Sequence, residues 1–223
     1  MTWQSYAAEL IREADPSFRD PIYLVDAAAA RYTLPKHFAG FTNPACAYEL
    51  RSVIPEWNGY GFCAVIDPRL FPDDLARTGA AIHEFCHYLD TVPMLKAVHD
   101  RHAMPFSEFC EEMQEAAEAA ESQPPREADV ADVDIHGPKW LRICIHLAYR
   151  IDFSSVHLGL IAADERNGDL TRAACYVYEK YLGAEPQERR HEDLAAIAIS
   201  PMPPAYAKFA AQDLARAKRS TLL

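Results

Sequence analysis

Residues 75–90 read LARTGAAIHEFCHYLD. Leu75, Ile82, Phe85, Cys86 and Leu89 recur at helical spacing, so one face of this stretch is apolar and the other is not. Pro72 suits a helix opening, and Asp73 and Asp74 put negative charge at its positive end. Pro93 sets the expected stop, because the residue before a proline is pushed out of helical geometry. A helix is therefore predicted from near Pro72 to just before Pro93. Upstream, Tyr60, Phe62, Ala64 and Ile66 alternate with Gly61, Cys63, Val65 and Asp67, which predicts a strand ended by Pro68. Asn58-Gly59 lies between the β-rich runs Cys46–Ile54 and Tyr60–Ile66, a strong hairpin signal. Together these predict an α+β fold, with a small, mostly antiparallel sheet packed on the helix at 72–92.

That helix also carries chemistry. His83-Glu84-Phe85-Cys86-His87 is an HExxH pattern. Residues four apart on a helix lie one above the other, so the two imidazoles point the same way. Neutral imidazoles hold Zn2+ at ~2.0–2.1 Å and leave it a strong Lewis acid, while Glu84 can reach a metal-bound water. From this composition the pattern arises by chance only about 0.03 times per chain. Cys86 is one turn on from Ile82 and is expected in the core.

A catalytic zinc normally takes three protein ligands and keeps one position open. Asp90 shares the face of His83 and His87, although a carboxylate so near on the same helix more often orients a histidine. Glu108, Glu111 and Glu112 follow His87 after 20 to 24 residues and belong to the next expected helix. His136 opens His136-Gly137-Pro138-Lys139-Trp140. Gly137-Pro138 fits a helix start, and Trp140, Ile143, Cys144 and Leu147 form an apolar stripe behind it. His99 and His102 are spare imidazoles flanking a predicted loop.

HExxH followed downstream by His136-Gly137-Pro138-Lys139-Trp140 resembles the SprT-like zinc metallopeptidases, whose pattern is HExxH and then HGxxF/W. Ile66-Asp67-Pro68-Arg69-Leu70 before the motif helix is similar in style, and the likeness covers roughly residues 60–150. The resemblance implies a zincin-like fold, zinc held by His83, His87 and His136, and Glu84 as the catalytic base. It implies hydrolysis of a polypeptide substrate. Here 48 residues separate His87 from His136, more than is usual in that family. The zinc-ribbon cysteines and basic tail of DNA-directed members have no counterpart.

The rest of the chain sets bounds. Its 223 residues are half hydrophobic and 11% aromatic, enough for a core, and predict one domain over 1–223. Lys and Arg number 22 against 33 Asp and Glu, a net charge of −11, so autonomous nucleic-acid binding is not expected. No apolar run approaches the ~20 residues of a membrane span. Glu9, Arg12, Glu13 and Asp15 stand where a secretory leader would be apolar, so a cytoplasmic chain is expected. Six scattered cysteines, with no CxxC pair, fit buried free thiols. An acidic segment at about 105–134, with ten carboxylates against one base over 108–134, separates two of the candidate ligand elements. Its first part keeps helical spacing and its second reads as a loop. Further helices are expected at 3–15, 137–151, 170–182 and after Pro204, with a short strand at 21–25. His146 and Tyr149 are candidate oxyanion donors. The rival readings are a gluzincin-type peptidase or another zinc hydrolase with a Glu third ligand, and a non-catalytic acidic interaction protein with a structural metal site. Tyr60–Ile66 is the strand expected to pair with extended substrate.

Overall fold

The computed structural model describes residues 2–34, 40–42, 54, 61–71, 73–102, 104–105, 138–151 and 185–204, with single positions at 108, 109, 112 and 115. It is a mixed helix and strand fold. Helix α1 (Trp3–Ala14) is capped by Thr2, whose hydroxyl accepts from the Ser5 N–H while the Ser5 hydroxyl accepts from the Thr2 N–H. Its buried face is Trp3, Ala7, Leu10, Ile11 and Ala14. Strands β1 (Ile22–Asp26), β2 (Gly40–Thr42) and β3 (Phe62–Ile66) form one sheet in the order β1–β3–β2.

The expected mostly antiparallel sheet is not what forms. β1 pairs with β3 in parallel over five residues, from Ile22 opposite Phe62 to Asp26 opposite Ile66. The antiparallel partner is the three-residue β2, with Gly40 opposite Ile66 and Thr42 opposite Ala64. β3 is thus the central strand of the described sheet. All five of its residues are fully buried. Phe62 to Ile66 is an unbroken apolar run, the pattern of a strand covered on both faces, and the apparent alternation came from grouping it with Tyr60 and Asp67. The expected hairpin partner at 46–53 and the Asn58-Gly59 turn lie outside the described residues. Gly61 admits the chain to β3: its φ is +88°, and a Cβ there would lie 2.3 Å from the Pro21 carbonyl oxygen. The Phe62 N–H donates to that same oxygen at 2.9 Å.

Helix α2 (Asp74–His99) carries the HExxH residues. Asp73 caps it, its side chain accepting from the Ala76 N–H at 2.8 Å. The helix does not stop before Pro93 but runs six residues past it. A proline ring removes one N–H donor, and here the far half is anchored from outside. Val92 is buried, Lys96 pairs with Asp20 at 2.8 Å, and the His99 ring meets the Met104 carbonyl at 2.7 Å.

Helix α3 (Pro138–Arg150) forms as expected, burying Trp140, Ile143, Cys144 and Leu147. The short helices α4 (Glu185–Glu188) and α5 (Leu194–Ile199) complete the described elements; Asp193 caps α5 through the Ala195 N–H. The helices expected at 170–182 and after Pro204, and nearly all of the acidic segment, lie outside the described residues. α1, β1, β3, α2, α3 and α5 all contribute to one apolar core. Two polar devices tie the late chain to it. Arg142, buried in the α3 stripe, donates to Glu185, the Ser200 hydroxyl and the Ser200 and Pro201 carbonyls. Arg150 donates to the carbonyls of Ala14, Arg189 and Glu192. Among the described residues, no helix is long and apolar enough to cross a membrane.

Candidate metal centre

The two motif histidines meet. Nε2 of His83 lies 3.1 Å from Nε2 of His87, with ring centroids 4.8 Å apart. Two nitrogens bound tetrahedrally to one zinc at ~2.0–2.1 Å lie about 3.3 Å apart, so this pair fits a shared metal with almost no movement. The fit belongs to the donor set: both rings offer the nitrogen farther from the backbone, and both are half-buried.

Glu84, between them in sequence, is buried beneath β2. Its Oε1 approaches the sheet where Gly40 has no side chain; a Cβ on Gly40 would sit 3.1 Å from that oxygen and 2.9 Å from the Val65 carbonyl. Burial alone pushes its pKa up to about 8, so the proton is held where an ordinary carboxyl would have lost it. Nothing in the sequence pointed to Gly40, because what matters is the close approach of a strand distant in sequence from the motif.

Trp140, the first large residue of α3, lies against both imidazoles. Its ring centroid is 4.8 Å from that of His83 and 5.5 Å from that of His87. The indole is fully buried, as a core anchor should be. Beside it, Lys139 reaches back to α2, placing Nζ 2.9 Å from Asp90 Oδ1 and donating also to the Asp90 carbonyl. Asp90 is therefore engaged by Lys139.

None of the other described candidates joins the histidine pair. His136, the expected third ligand, lies outside the described residues, as does Glu111. Among the described residues no cluster of three imidazole, thiol or carboxylate groups suited to a metal is found. His146 is six residues beyond Trp140, with Nε2 3.4 Å from Glu185 Oε2. Burial holds its pKa down, against the opposing pull of Glu185. Tyr149 lines a cavity of about 730 Å³ with Glu13, Asp15, Arg150, Arg190 and Glu192, a space to which no motif residue contributes. His99 and His102 pack on Phe109. Cys86 is in the core as expected, its thiol pushed up first by burial and then by its hydrogen bond with Cys144.

Comparison of the chain with family models, with curated proteins and with solved structures yields no match.

Proposed function

We propose that this chain is a zinc-dependent peptidase, with His83, His87 and His136 holding the metal and Glu84 as general base. The observation that carries the reading is the convergence of two imidazole nitrogens at 3.1 Å, with a buried carboxyl group, Glu84, next to His83 in sequence. Two helical histidines serving only as solvated surface groups would have no reason to point their Nε2 atoms at each other.

When bound, zinc would supply a Lewis acid for the scissile carbonyl and lower the pKa of water beside it. Glu84 does the proton work. Its carboxylate takes a proton from the attacking water and returns it to the nitrogen of the leaving amine. In the metal-free chain burial holds the Glu84 proton up to about pH 8, and the positive charge of a bound zinc would favour the carboxylate that this step needs. β3 has a neighbour along each edge, so it is not the strand that accepts substrate. We assign that role to β2, whose Gly40 abuts Glu84; main-chain pairing with an extended polypeptide there would bring a scissile bond toward the carboxyl group.

The test is zinc content per chain together with hydrolysis of an unfolded protein substrate, for wild type, His136→Ala and Glu84→Gln. About one zinc in wild type, a large loss in His136→Ala, and retained zinc without hydrolysis in Glu84→Gln are expected. Equal zinc in wild type and His136→Ala would move the third ligand to the glutamates at 108–112. No zinc in wild type, even with metal added back, would sink the reading in favour of a non-catalytic protein.

A further inference from the structure

We propose that Trp140 is a positioning residue for the metal pair: its indole is a shared wall that fixes the rings of His83 and His87 in the converged arrangement. The inference rests on the metal reading above and concerns how the two ligands are held.

Two neutral imidazoles whose Nε2 atoms lie 3.1 Å apart can share one proton in a ring-to-ring hydrogen bond. On an open helix water competes for such a bond and the two side chains are free to swing apart. Here they are walled in. The indole contacts His83 at 4.8 Å with 59° between ring planes, and His87 at 5.5 Å with 32°, both within the range of favourable aromatic contact. A single large bicycle reaches both rings. Its own place is fixed twice, by complete burial in the core and by the adjacent Lys139, which grips Asp90. Residues 139 and 140 thus dock α3 on α2 at the level of the two histidines. A metal site pre-organised this way spends less binding energy on ordering its ligands, the usual effect of groups that orient metal-bound imidazoles.

The test uses the full chain, Co2+ as the probe, and Zn2+ competition for affinity. Three variants are compared with wild type. Trp140→Met fills the space with a flexible side chain but removes the flat wall. Trp140→Phe keeps an aromatic face. Leu147→Ala opens a cavity in the same helix, two turns away, and controls for lost stability. The expected result is a loss of about tenfold or more in Co2+ affinity for Trp140→Met, with a shifted ligand-field band. Trp140→Phe should restore affinity to within about threefold of wild type, and Leu147→Ala should bind as wild type does despite a lower Tm.

Wild-type affinity and an unshifted band in Trp140→Met would overturn the proposal. So would equal losses in Trp140→Met and Leu147→Ala, which would reduce Trp140 to an ordinary core residue. Should Trp140→Met not fold, Trp140→Leu takes its place with the same expected loss and band shift, and wild-type affinity with an unshifted band there overturns the inference. If wild type binds neither metal, the metal reading itself fails and takes this inference with it; metal binding indifferent to residue 140 removes the inference alone.

Discussion

Glu84 shows how far a single residue's environment can move its chemistry. An ordinary glutamate loses its proton near pH 4.5, and burial under β2 raises this to about 8. Between those values the folded, metal-free chain keeps a proton that the unfolded chain has released. Stability contributed by this group is therefore full below about pH 4.5 and falls as pH rises toward 8. Glu84→Gln, which is neutral throughout, should abolish that fall. In metal-free protein the variant should gain on wild type by an amount of the order of 4 kcal/mol between pH 4.5 and pH 8. Urea midpoints at the two pH values measure it, and parallel curves for the two proteins would show that Glu84 is not buried in this way. The convergence of His83 and His87 was legible because helix periodicity alone puts both imidazoles on one side. Their partners were not. Gly40 and Trp140 reach the histidines and Glu84 through tertiary packing that no local spacing encodes.

Elements were legible where their signals were local. The spans of α1 and α3 follow from apolar spacing and, for α3, from Pro138 at its start. The failures have equally specific causes. Pro93 reads as a stop only if nothing else holds the chain, and Val92, Lys96 and His99 hold it. β3 was given the wrong neighbours because an antiparallel hairpin announces itself in a turn, whereas parallel pairing with β1 joins residues forty apart and leaves no such mark. Gly61 is where β3's approach can be probed. Gly61→Ala would place a methyl group 2.3 Å from the Pro21 oxygen at a φ that side chains resist. A loss of about 2 kcal/mol or more is expected in chemical unfolding. A change under about 0.5 kcal/mol would mean that the backbone here relaxes freely.

At the scale of the molecule, α3 joins the early and late parts of the chain. Arg142 is almost wholly buried, and its guanidinium is satisfied by Glu185 on α4 and by Ser200 and Pro201 beyond α5. Burial pushes the Glu185 carboxyl up, but the hydrogen bonds and charge of Arg142, with His146 close by at 3.4 Å, outweigh this and hold it at about 2. Removing Arg142 leaves Glu185 the longer contact to Arg189 at 3.3 Å and removes the donors to the Ser200 and Pro201 carbonyls, so Arg142→Met should cost about 3 kcal/mol. The double variant Arg142→Met, Glu185→Gln should recover much of the loss, because it leaves no buried charge unmatched. Purely additive losses in a double-mutant cycle would refute the coupling.

Arg150 carries the same logic into time. The Ala14 carbonyl at the end of α1 is answered by a guanidinium 136 residues later, which in turn holds Arg189 and Glu192. A ribosome adding about 5–20 residues per second makes the first helix wait on the order of ten seconds for the side chain that closes it. Until then α1 has only the partners made before Arg150. Arg150 thus fastens the end of α1 only once the sheet and α2 have been made.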